Sequence, residues 1–227
     1  MYNSTHNLIN QVYAQTILVK NAELKQLQSQ INPHFLYNSF YNINSLALNE
    51  DYETIIEFTN FLGQYYKYIT RNFDLSSTLL EEYTHTINYC NIQKLRFSRN
   101  LSMEIGELPV HLYNIKVPKI IIQPLLENVF NYAFRTVEKQ CVVYKITDEN
   151  DFINISISDN GVNLTDEKIA LMNANFFKDD CEDTGTININ KRIKLFFGDN
   201  SCLCFSRSEF NGLNATIKIS KDEIKNV

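Results

Sequence analysis

The chain has 227 residues and a formal charge of −5, enough length to bury two modest cores and too acidic a balance for a general binder of nucleic acid. Its five cysteines, at 90, 141, 181, 202 and 204, lack metal-ligand or redox spacing and are expected to stay reduced, as in the cytoplasm. The longest apolar stretch, from Ile115 to Leu126, is broken by Lys116, Pro118, Lys119 and Pro124, well short of the roughly 18–20 apolar residues of a membrane span.

Taken in order, Leu8, Val12, Ile17, Leu24, Leu27, Ile31 and Leu36 keep helical spacing over residues 7–49. Pro33 has no N–H for the carbonyl of Ser29, so this helix is expected to kink there and turn His34 towards solvent. A second helix is expected over 52–70, where Ile55, Ile56, Phe58, Phe61, Leu62, Tyr65, Tyr66 and Ile69 form a broad apolar face. The two should pair as an antiparallel hairpin. The apolar surface left over, with Phe58, Phe61, Tyr65 and the Ile17, Leu24, Ile31 row, would be hidden by a second copy in a four-helix bundle.

The polar break around Asn72 to Ser77 divides a helical domain, 1–72, from the remainder, 73–227. The second part should hold a helix from Leu79, a strand over 101–105, a helix opening near Pro118, and a hairpin of strands over 141–147 and 152–158. A helix over 166–173 follows, then a polar, acidic segment over 175–183 expected to act as a lid. A helix from Gly185 and two strands, 202–208 and 213–220, around an Asn211-Gly212 turn complete the chain.

The chemistry concentrates in two places. The run Gln30-Ile31-Asn32-Pro33-His34-Phe35-Leu36-Tyr37-Asn38 offers an imidazole that is nucleophilic near neutral pH, with an amide one helical turn away at i+4. It resembles the phosphoacceptor motif of the LytS/YesM-type sensor histidine kinases of bacterial two-component systems. Further on, Gln123-Pro124-Leu125-Leu126-Glu127-Asn128-Val129-Phe130-Asn131-Tyr132-Ala133 resembles the asparagine box of the Bergerat-type ATP-binding fold. Asp159-Asn160-Gly161 and the stretch from Gly185 to Gly198 resemble its glycine boxes.

The resemblance implies an α+β chain of two domains: a helical-hairpin dimerisation and phosphoacceptor domain, then an α/β sandwich that binds ATP. It implies that His34 takes the phosphoryl group, oriented by Asn38, and that Asn128 holds Mg²⁺ through its amide oxygen. Asn131, Tyr132 and Arg135, at i+3, i+4 and i+7 from Asn128, should share its face, with Arg135 meeting a phosphate. Asp159 would accept a hydrogen bond from the adenine amino group and Gly161 would let the backbone approach the base. Gly185, Thr186 and Asn188 would offer free helix N–H groups to phosphate. The implied partners are a second copy of the chain and the receiver domain of a response regulator, with no nucleic acid. A membrane sensor segment is expected to precede this cytoplasmic region.

Asn163 stands where a second glycine is usual, Asp183-Thr184 replaces the glycine opening the second box, and Tyr132 replaces a histidine. An acidic Asp183 near the phosphates would oppose an anion-binding helix terminus. Two readings therefore stand side by side: an active kinase, or a catalytically weak relative acting as a dimeric signalling scaffold. A gyrase-like ATPase would need a water-activating glutamate four residues before Asn128, where this chain has Pro124.

Overall fold

The structure, a computed structural model, describes residues 32–70, 74–97, 100–134, 138–162, 164–176 and 185–224. The amino-terminal part of the first expected helix, with Ile17, Leu24, Leu27 and Ile31, lies outside the described residues. So do Arg135, Asn163, Asp183, Thr184 and most of the expected lid.

Helix α1 (Pro33–Leu48) begins at Pro33 instead of bending there. Asn32 is extended, with ψ 103°, and its side-chain oxygen accepts the N–H of Phe35 at 3.2 Å. A proline at the first position of a helix gives up no hydrogen bond, and it pushes the residue before it out of the helical region. A capped start thus stands where Pro33 was expected to kink a continuing helix. After a turn in which Glu50 takes a positive φ of 56°, α2 (Tyr52–Thr70) runs back antiparallel to α1. The ring of Phe35, at the start of α1, lies 4.8 Å from that of Tyr65, near the end of α2.

Phe58 and Tyr65 are fully buried within the chain, so they do not form the expected surface for a second copy. The reason is α3 (Leu79–Arg96), which packs along α2. Its His85 stacks on Tyr65 and Tyr68, at 4.9 and 4.3 Å between ring centres. The apolar side chains that remain exposed on the hairpin are others, among them Tyr37, Phe40, Tyr41, Tyr52 and Ile56.

Thr78 and Glu81 close a capping box at the start of α3, an arrangement worth about 1 kcal/mol. Just before it, β1 (Ser76–Thr78) pairs antiparallel with β3 (Lys116–Pro118). Pro118 therefore ends a strand, and the helix expected to start there begins at Gln123 as α4 (Gln123–Asn128), with Pro124 in its first turn. Glu82 explains the delay. It is 0% exposed, and its carboxylate accepts the N–H groups of Ile120, Ile121 and Ile122 at 2.9, 2.8 and 3.2 Å, along with the Tyr68 hydroxyl at 2.6 Å. Three consecutive N–H groups turned onto one carboxylate, with Ile120 at φ 59°, hold the backbone in a loop until Glu82 is satisfied.

The larger sheet has the order β2-β4-β5-β7-β6, formed by β2 (Leu101–Ile105), β4 (Gln140–Asp148), β5 (Phe152–Asp159), β6 (Cys202–Arg207) and β7 (Leu213–Ser220). β2 runs parallel to β4 and the other pairs are antiparallel. Alternation sets its faces. Val142, Tyr144, Ile146, Ile153, Ile155, Ile157, Ile217 and Ile219 are buried, while Lys145 and Lys218 between them are exposed. The apolar face joins α3, α4, α5 (Asp166–Asn175) and α6 (Gly185–Phe197) in a core that continues to Phe35, Phe58 and Tyr65 of the hairpin. A short α7 (Lys221–Ile224) follows the last strand. Among the described residues, no helix is long and apolar enough to cross a membrane.

Candidate functional site

Because α1 starts at Pro33, His34 stands in its first turn, exposed to solvent. The Asn38 amide nitrogen lies 3.3 Å from His34 Nδ1 and 3.2 Å from Nε2, the i+4 contact expected from spacing. An amide can present its N–H to the bare ring nitrogen or, turned over, its oxygen to the protonated one. His34 and Asn38 open onto a small cleft of about 50 Å³, whose other walls include Arg96 of α3, Glu127 of α4 and Asn131.

Asn131 reaches this cleft because α4 does not continue as an α-helix. Residues Val129–Ala133 form a π turn, a widened turn often found at functional sites. Asn128 is half-buried, Asn131 and Tyr132 are exposed, and Arg135 lies outside the described residues.

The other end of the π turn meets the first glycine box. A Cβ added to Gly161 would lie 2.7 Å from Ala133 Cβ and 2.9 Å from Asp159 Oδ1, so no other residue fits between these segments. Asp159 closes β5 at 3% exposure, and its Oδ1 accepts the N–H groups of Gly161 at 2.7 Å and Leu213 at 3.2 Å. Burial pushes its pKa above the usual carboxylate range, with those two hydrogen bonds pulling the other way. Asn160 ties the turn to β4, accepting the Cys141 N–H and donating to the Lys139 carbonyl.

Gly212 and Ser208 belong to this site although the sequence marks them only as turn and strand end. A Cβ on Gly212 would come within 2.3 Å of both the carbonyl oxygen and Oδ1 of Asp159. The Ser208 hydroxyl donates to that carbonyl at 2.6 Å and accepts the Gly212 N–H at 3.0 Å. Arg96 and Glu127 are likewise site residues that pattern alone does not single out.

Gly185, Thr186 and Asn188 occupy the first turn of α6, with Gly185 and Asn188 exposed and Thr186 half-buried. The helix is anchored by Arg192, whose guanidinium donates to the carbonyls of Lys119 and Ile120 in the loop that Glu82 gathers. α4 and α6 also touch directly.

Among the described residues, no group of three His, Cys, Asp or Glu side chains could hold a metal ion. A magnesium ion that takes one amide oxygen, phosphate oxygens and water needs no such group, and Asn128 supplies an oxygen of the right kind.

The family model described as histidine kinase matches residues 22–101. The sensor protein LytS of Streptococcus agalactiae serotype V is 30% identical over 210 residues, covering 90% of this chain and 35% of that protein. The sensor histidine kinase YesM of Bacillus subtilis is 29% identical over 205 residues, covering 88% and 33%. The chain thus spans about a third of the length of these relatives. Among solved structures, the histidine kinase domain of the blue-light activated kinase EL346 from Erythrobacter litoralis is similar at a TM-score of 0.47 and 12% identity, over 90% of this chain and 96% of that one.

Proposed function

We propose that this chain, which belongs to the histidine kinases of the LytS/YesM type, binds ATP, transfers the γ-phosphoryl group to His34, and passes it to an aspartate of a response-regulator receiver domain. The observation that carries the reading is the cleft in which His34 and Asn38 of the hairpin meet Asn131 and Glu127, the residue that precedes Asn128 in the chain.

In this reading the adenine amino group donates to Asp159, whose Oδ1 accepts the backbone N–H groups of Gly161 and Leu213, and Gly161 and Gly212 leave the carboxylate room to sit close to the base. Asn128 offers its amide oxygen to Mg²⁺, which when bound spreads charge over the phosphate oxygens. The first turn of α6, with Gly185, Thr186 and Asn188, provides N–H groups for the phosphates. Arg96 in the cleft provides a cation close to the acceptor. Asn38 holds the imidazole so that the ring nitrogen attacks in line with the leaving oxygen. Exposed Tyr37, Phe40, Tyr41, Tyr52 and Ile56 favour a homodimer through the hairpin, on the cytoplasmic side of a membrane sensor.

The test is incubation of the full chain with Mg²⁺ and ATP labelled on the γ-phosphate. A phosphoryl group on imidazole is lost in acid and kept in alkali, and the chain should gain such a label. A chain that binds ATP and gains none would instead be a signalling scaffold.

A further inference from the structure

Asp159 is held by two separate lengths of chain. Its Oδ1 accepts the N–H of Gly161, just past the end of β5, and the N–H of Leu213, at the start of β7. Two donors on one oxygen set the direction in which the carboxylate faces, and they do so only while the two segments stay together. Ser208 fastens the second segment from inside, since its hydroxyl joins the Asp159 carbonyl to the Gly212 N–H.

Arg207, the last residue of β6, joins the two segments from outside. Its Nη1 donates to the carbonyl of Leu164 at 2.6 Å and to that of Asn211 at 3.1 Å. Leu164 lies three residues after Gly161, and Asn211 lies two before Leu213. One guanidinium nitrogen thus spans the two segments that carry the Asp159 donors. The rest of the fork grips α5, with Nε and Nη2 both donating to Asp166 Oδ1, at 3.0 and 2.5 Å. Both segments present their carbonyls from ordered backbone. Thr165, next to Leu164, caps α5 by accepting the Lys168 N–H, and Asn211 sits at φ 66°, a left-handed conformation that asparagine tolerates. The charged groups acting with Arg207 are Asp166 and Glu167, both in the first turn of α5. Asp166 is 82% exposed, and an ion pair in that setting holds little. The two carbonyl bonds, made by a cation to separate segments, hold more.

We propose that Arg207 is a positioning residue of the nucleotide site: it staples the segment after Gly161 to the turn before Leu213 and so keeps Asp159 facing the base. This inference deepens the ATP-binding reading above and rests on it.

Its test is the ATP affinity of the full chain, measured by calorimetry across pH. Arg207→Met keeps the stem and removes the donors, and it should lose about fivefold to tenfold in affinity, the worth of about one hydrogen bond. Arg207→Lys brings an ammonium back to the carbonyls and should restore part of that loss. Asp166→Ala removes the ion pair alone and should stay within about twofold of wild type. The pH profile separates positioning from general loosening. Burial pushes the Asp159 pKa up, and the N–H groups of Gly161 and Leu213 pull it down, so freeing the two segments should raise it further. The acid fall in ATP affinity should then lie about 0.5 pH higher in Arg207→Met, equivalent to about threefold. A variant that merely weakened the fold would leave that limb in place. Affinity of Arg207→Met within about twofold of wild type overturns the inference, and so does an unmoved acid limb. So does an Asp166→Ala loss equal to that of Arg207→Met, which would make the ion pair the cause. An Arg207→Met chain that does not fold overturns it as well, because Arg207 would then serve the fold and not the site. If the wild type binds no ATP, the reading above fails and this inference with it, an outcome distinct from a wild type that binds and variants that match it.

Discussion

His34 stands on the open first turn of a capped helix with a neighbouring amide beside it, whereas Asp159 is sunk at the end of a central strand between two glycines and two backbone N–H groups. The contrast follows from the proposed tasks. An acceptor that meets ATP and then a receiver domain has to be reachable from outside, and its orientation can be completed as each partner arrives. A group that recognises a base gains from being desolvated and fixed in advance, because it then loses little freedom on binding. Substitutions at the adenine end should therefore alter binding, and those at the acceptor end should alter chemistry alone.

The largest effect should fall away from both ends, on the buried carboxylate that joins α2 to the loop before α4. Glu82→Ala leaves three backbone N–H groups and the Tyr68 hydroxyl without their acceptor and should cost about 3–5 kcal/mol of stability in urea unfolding. A loss under about 1 kcal/mol, the size of an ordinary exposed hydrogen bond, would mean that the loop before α4 is held by something else.

Asp159→Asn should weaken ATP binding by about 10- to 100-fold, the worth of a hydrogen bond to a charged acceptor, without altering its Mg²⁺ dependence. Asn128→Ala should do the reverse, removing the gain that Mg²⁺ brings and sparing the metal-independent part. Equal behaviour of the two variants in calorimetry would erase the separation of adenine and metal functions. Acid should reproduce the Asp159 effect. The ionised carboxylate is the acceptor and burial raises its pKa, so ATP affinity should fall at a higher pH than for an ordinary aspartate, and Asp159→Asn should lack that limb. For the fold the sign is opposite. A carboxyl whose folded pKa is raised binds its proton more tightly in the native chain, so its burial penalty is present above that pKa and relieved as pH falls through it.

The smallest effect sharpens the acceptor side. Asn38→Ala should slow phosphorylation of His34 by roughly fivefold to tenfold, equivalent to about 1 kcal/mol for one hydrogen bond, and leave ATP affinity unchanged. A loss of ATP binding instead would place Asn38 in the nucleotide site.

What was legible in the sequence was local. The helix over Tyr52–Thr70 and the strand over Leu213–Ser220 appear as expected, because hydrophobic period and flanking breaks agree there. The His34 and Asn38 contact is a consequence of i+4 spacing. Pro33 and Pro118 misled for one reason: a proline's place depends on its neighbours' partners. Asn32 turned the first into a helix start, and Glu82, more than thirty residues away, kept the second out of a helix. Phe58 and Tyr65 look like bundle residues until α3 covers them. Arg96, Glu127, Ser208 and Gly212 join the site through tertiary packing, and no spacing in the chain announces it.

The most direct measurement is the position of the acid-labile label, comparing wild type with His34→Gln after incubation with Mg²⁺ and ATP, with ATP affinity measured alongside. The expected result is a label on the peptide containing His34 in the wild type and none in His34→Gln, with ATP bound equally by both. Label that persists in His34→Gln would contradict the account, because the cleft joining α1 to α4 would not then be where transfer occurs.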